Sequence, residues 1–136
     1  MNISQKKDYR VIIAGCRDFF NYDLLNIKCK YFLQYKIKTH NVIIVSGHAT
    51  GTDSLGERFA KENNLKCERH PADWKKHGRA AGPIRNAEMA KKSNALIAFW
   101  DGRSPGTRSM IELAEKKGIK VAIVLFNKTP PENLKT

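Results

Sequence analysis

The chain has 136 residues, 41% hydrophobic and 28% charged, with a formal net charge of +12. These totals fit one globular domain with a core of its own and exclude wholesale disorder. No stretch approaches the roughly 20 apolar residues needed to cross a bilayer. The opening "MNISQKKDYR" has no apolar signal core, so a cytoplasmic location is expected. Cys16, Cys29 and Cys67 form no CxxC and read as reduced thiols, and neither a metal nor a cofactor is expected. The 25 Lys and Arg are scattered and form no single block, which reads as solvated basic faces. Such a field draws polyanions and small phosphorylated ligands alike.

In chain order, "RVIIAG" (10–15) is a short, continuous apolar run, as expected of a strand covered on both faces. Leu25, Cys29, Phe32 and Leu33 then mark a helix face. "NVIIVSG" (41–47) is the second strand, and Leu55 and Phe59 repeat four apart on a helix starting near Thr52. "LKCERH" (65–70) is a weaker strand. "PADWKKHGRAAGPIRN" (71–86) is too rich in Gly, Pro and Trp for a plain connection. "ALIAFW" (95–100) and "KVAIVLF" (120–126) flank a helix carrying Thr107, Met110, Ile111 and Ala114. The alternation predicts an α/β domain over residues 8–127, with a mostly parallel five-stranded sheet and helices on both faces. Residues 128–136 are expected to be a flexible tail.

Open parallel sheets bind ligands beyond the carboxyl ends of their strands, so the strand exits are the places to look. Three exits carry glycine: "AGCRDF" with Gly15 and Arg17, "SGHATGTD" with Ser46, Gly47, Gly51, Thr52 and Asp53, and "DGRSPGT" with Asp101, Gly102, Ser104, Gly106 and Thr107. Glycine lets a ligand approach bare backbone, and helix N-termini offer N–H groups to phosphate. Local capping accounts for part of the same residues. Ser54 and Glu57 fit a capping box, and Ser104 before Pro105 fits a helix start. Trp74 either stacks on a base or covers the core edge, and His77 reads as a surface residue. Arg85 near a helix start opposes the helix dipole, which is tolerable where it reaches an acid or a phosphate.

"VIIAGCRDF", "SGHATGTDSLGERFA", "PADWKKHGRAAGPIRNAEM" and "AFWDGRSPGTRSMIELA" together resemble the YspA-like branch of the SLOG superfamily, from about residue 10 to residue 125. The resemblance implies a Rossmann-like fold that binds nucleotides or nucleotide-derived ligands. The superfamily includes Lonely Guy phosphoribohydrolases, the DNA-processing protein DprA and sensors of ADP-ribose-type signals. In the phosphoribohydrolase pattern, "RNAEM" puts Arg85 and Asn86 on the first motif. "DGRSPGTRSM" keeps Gly106 and Thr107 but puts Met110 where the motif has a glutamate. Glu112, two residues on, turns to another helix face.

The expected function is therefore binding of a phosphorylated nucleoside by a sensor or sequestering protein. Main-chain N–H groups and Arg85 would hold phosphate, with Asp101 or Asp53 on ribose hydroxyls. N-glycoside hydrolysis is the alternative, with Arg85 and Asp101 as catalytic candidates and Asp18, Asp53 or Asp101 supplying the carboxylate. Single-stranded nucleic-acid binding is a further alternative, weak and sensitive to salt. A homo-oligomer is expected from the aromatic surface of "YFLQY" (31–35).

Overall fold

The structure, a computed structural model, describes residues 6–127. The sheet contains β1 (Asp8–Gly15), β2 (Asn41–Ser46), β3 (Lys66–Arg69), β4 (Ala95–Trp100) and β5 (Lys120–Leu125). Their order is β3-β2-β1-β4-β5, and every pairing is parallel. The weak run "LKCERH" is the edge strand β3. The tail expected at 128–136 lies outside the described residues.

Among the described residues six α-helices connect or flank the strands: α1 (Tyr22–Leu33), α2 (Lys36–Thr39), α3 (Thr52–Glu62), α4 (Trp74–His77), α5 (Ala81–Lys92) and α6 (Pro105–Lys117). A 3₁₀ turn, Gly78–Ala80, joins α4 to α5. The short α2 and α4 carry no apolar stripe in the sequence and were not expected.

Successive residues of β1 point to opposite faces of the sheet. Val11 and Ile13 pack with Leu25, Cys29 and Phe59 of α1 and α3. Ile12 and Ala14 pack with Met89, Met110 and Ala114 of α5 and α6. The sheet is thus covered on both faces, which is why its strands are continuous Val and Ile runs. From β1 the chain winds outward through β2 and β3, then returns to place β4 on the other side of β1. This reversal opens a crevice at the carboxyl ends of β1 and β4, the usual ligand position in such sheets. Gly15, Gly47 and Gly102 all sit at that carboxyl edge, as the sequence predicts.

On the outer surface, Ile27, Tyr31 and Tyr35 are 63%, 66% and 72% exposed along α1 and the turn after it. The aromatic excess of "YFLQY" is therefore at the surface. No helix among the described residues is long and apolar enough to cross a membrane.

Candidate functional site

A cavity of about 620 Å³ occupies the crevice between β1 and β4. Small-molecule sites span roughly 300–1,000 Å³. Gly15, Cys16, Arg17 and Asp18 from the β1 exit form one wall, with Asp53 of α3 beside them. Arg85, Asn86 and Met89 of α5 and Ser104, Gly106, Thr107 and Met110 at α6 line the cavity as well, as does Trp74 of α4. Of the residues expected from sequence, Gly15, Arg17, Asp53, Arg85, Asn86, Ser104, Gly106 and Thr107 come together here. Ser46, Gly47, Gly51, Thr52, Asp101 and Gly102 do not line the cavity.

The reason lies in how "SGHATGTD" folds in on itself. The Thr52 N–H and hydroxyl both donate to Cys16 O, at 3.2 and 2.9 Å. The Ala49 N–H donates to Asp53 Oδ2 at 3.2 Å, and the His48 N–H to Ser46 Oγ at 3.0 Å. Donors expected to face a phosphate are therefore satisfied inside the protein. Gly47 and Gly51 serve close packing: a Cβ on Gly47 would lie 2.6 Å from Arg85 Nη1.

The capping box does not form either. Helix α3 begins at Thr52 behind Gly51, so Ser54 lies within the first turn and its hydroxyl donates to Ala49 O at 3.0 Å. Glu57 instead accepts from Ser46, His48 and Arg69 at 2.7, 2.8 and 2.8 Å, tying β2, its exit loop and β3 together. Burial opposes its ionisation, but these three bonds outweigh that and hold the carboxyl below its ordinary 4.5. Glu57→Ala is expected to cost about 2 kcal/mol in urea unfolding at pH 7, because the buried Ser46 hydroxyl loses its acceptor. With the folded pKa depressed, that contribution is present above pH 4.5 and lost as pH falls through the folded value. A variant matching wild type at pH 7 would show the network to be idle.

Asp101 is committed to its own loop. Its Oδ1 accepts from the Arg103 and Ser104 N–H groups at 2.9 and 2.8 Å, and its Oδ2 accepts from the Ser104 hydroxyl at 3.0 Å. Ser104 occupies the N-cap position of α6 but makes no side-chain cap, because its hydroxyl turns to Asp101. Pro105 has no N–H, so α6 presents Gly106 and Thr107 to the cavity with no side-chain cap over them.

Two guanidiniums border the same space. Arg85 is half-buried and donates from Nη1 to Gly47 O and from Nε to Asn86 Oδ1. Burial lowers its pKa, and the nearby Asp53 charge opposes that. Arg17 lies exposed, its guanidinium carbon 6.0 Å from the centre of the Trp74 ring. Trp74 is 51% exposed, so it borders the cavity and does not cover the core. Asp53 is 7% exposed, and burial pushes its pKa up to about 6 against the Ala49 hydrogen bond and the Arg85 charge.

Cys16 belongs to the site although the sequence does not single it out; it directly follows Gly15 at a glycine-bearing exit. The residue is 2% exposed, and its thiol donates to Ser104 Oγ at 3.3 Å. Met110 is 2% exposed and lines the cavity wall. Glu112 lies exposed elsewhere on α6. No three His, Cys, Asp or Glu side chains gather to hold a metal among the described residues.

The sequence model of the YspA, cpYpsA-related SLOG family matches residues 9–77, and the chain belongs to that family. It is 39% identical over 88 residues to the Gene 61 protein of Mycobacterium phage D29, a match covering 60% of this chain and 70% of that one. The fold is similar to that of DNA processing protein A (DprA) from Streptococcus pneumoniae, with a TM-score of 0.67 at 18% identity. That match covers 95% of this chain and 52% of the DprA chain, so this chain spans about half of its structural relative. At this identity the likeness defines the fold alone: a five-stranded, all-parallel, Rossmann-like domain.

Proposed function

We propose that the domain binds a phosphorylated nucleoside, of the nucleotide or ADP-ribose type, in the cavity between β1 and β4. It acts as a sensor or sequestering protein. The observation that carries this reading is the meeting of Arg85, Arg17 and the start of α6 in one cavity beside an exposed indole. Phosphate oxygens accept from the guanidiniums and from the N–H groups of Gly106 and Thr107. The base lies on Trp74.

Met110 favours binding over cleavage, since a thioether stands where the phosphoribohydrolase motif has its carboxylate. Asp53 supports hydrolysis of an N-glycosidic bond as the second reading, because it brings one buried carboxyl to the cavity. Oligonucleotide binding rests on diffuse charge and falls steeply with salt. Self-association joins two copies through the exposed Ile27, Tyr31 and Tyr35. Light scattering that gives a monomer mass at all concentrations removes this last element.

Calorimetry with AMP, ADP and ADP-ribose tests the central claim. Arg85→Ala is expected to weaken binding by roughly 1.5–3 kcal/mol, the scale of a charged hydrogen bond. Failure of wild type to bind any of them sinks the reading. Chromatography is expected to detect little or no free base. Steady base release that vanishes in Asp53→Asn replaces binding by hydrolysis.

A further inference from the structure

Resting on that reading, we infer that Asp53 reads the sugar of the ligand, making the cavity selective for ribonucleotides over nucleotides lacking the 2′ and 3′ hydroxyls. Asp53 and Arg85 meet at one spot: a Cβ built on Gly47 would lie 2.8 Å from Asp53 Oδ2 and 2.6 Å from Arg85 Nη1. Arg85 nevertheless spends its bonds there on neutral oxygens, Gly47 O and Asn86 Oδ1. The Ala49 N–H on Oδ2 is the one hydrogen bond the Asp53 side chain makes among the described residues. A carboxylate has about four acceptor positions. The 7% exposed Asp53, lining the cavity, therefore has acceptor capacity that nothing in the protein fills.

The missing donor belongs to the ligand, and charge narrows its chemistry. A phosphate beside Asp53 would set two anions together in a poorly solvated place. A cationic group would have to enter past Arg17 and Arg85 into a protein of net charge +12. A neutral donor avoids both penalties, and the vicinal hydroxyls of a ribose supply two on adjacent carbons. Asp101, the other acid expected to take this part, has both oxygens occupied within its loop. The ligand then lies with its phosphate held by α6, Arg17 and Arg85 and its sugar edge turned to Asp53.

The test is calorimetry of the full chain with AMP, ADP, GMP and GDP, each against its 2′,3′-dideoxy counterpart. Wild type is expected to prefer the ribonucleotide by about tenfold or more, as for a hydrogen bond to a charged acceptor. Asp53→Asn, which keeps the shape and the Ala49 bond but loses the charge, is expected to cut that preference to about threefold or less. Equal affinity of wild type for both forms overturns the inference and leaves nucleotide binding standing. An undiminished preference in a folded Asp53→Asn protein also overturns it. Absence of binding to all eight nucleotides overturns the inference, and failure to bind ADP-ribose as well overturns the reading beneath it. Should Asp53→Asn fail to fold, the wild-type ratio decides alone.

Discussion

Gly51→Ala is expected to destabilise the protein by about 4 kcal/mol, while Gly102→Ala is expected to cost about 1 kcal/mol. Both glycines have positive φ, +76° and +81°, a region that costs other residues about 1–2 kcal/mol. They differ in their surroundings. A Cβ on Gly51 would lie 2.2 Å from Arg17 O and 2.6 Å from Cys16 O, both main-chain atoms that cannot swing aside. Nothing lies within 4 Å of a Cβ on Gly102. Overpacking adds about 1–3 kcal/mol or more at the first position and nothing at the second. Urea unfolding of the two variants gives the comparison directly. Equal costs would mean that the exits of β1 and β2 are not pressed together. Binding should follow stability, because the same contact places Arg17 beside the cavity.

Asp53→Asn is expected to stabilise the protein by about 2–3 kcal/mol at pH 8, with the gain fading as the pH falls toward 4. Burial raises the folded pKa from an ordinary 3.8 to about 6. At about 1.4 kcal/mol per pH unit, the folded state carries that penalty wherever Asp53 is ionised in both states. The folded state holds its proton more tightly than the unfolded chain. Stability attributable to Asp53 is therefore greatest below pH 3.8, falls between 3.8 and 6, and stays low above 6. Asparagine carries no charge to bury, so its advantage appears across that window. A gap between variant and wild type that stayed constant from pH 8 to pH 4 would refute the burial account. Together with the expected loss of sugar preference, this makes Asp53 a residue that opposes folding and serves binding, as functional residues often do.

The sheet was legible because burial on two faces leaves a plain mark: uninterrupted Val and Ile between glycine-bearing exits. The winding order was not written in any one segment, since β1 meets β4 only through the crossover beyond β3. Within the site, Arg85 could be singled out because an arginine early in a helix needs a partner, and it found Gly47 O. The "SGHATGTD" loop misled because its residue types suit phosphate and self-capping equally. The choice fell to Cys16 O, which takes two donors from Thr52 and belongs to a different loop. Asp101 and Asp53 looked alike in sequence for the same reason. Their difference is geometric, one turned into its own loop and the other onto the cavity. Trp74 reads equally as a cover for the core because most indoles are one, and the short α4 that carries it has no periodicity to betray it.

Because β1 lies between β2 and β4, translation delivers its two neighbours at very different times. The Arg10 N–H bonds Asn94 Oδ1 across 84 residues, at the start of the β1–β4 seam. At roughly 5–20 residues per second, that seam has to wait about 4–17 s after β1 leaves the ribosome. Meanwhile β2 can dock on the other edge of β1 and β3 on β2, and α1 and α3 can cover one face. The opposite edge of β1 stays open, flanked by the uncovered Ile12 and Ala14, which makes the nascent chain stickiest midway through its synthesis. Ribosome-stalled chains ending before Ala95 should engage chaperones, and those extended past Leu125 should release them.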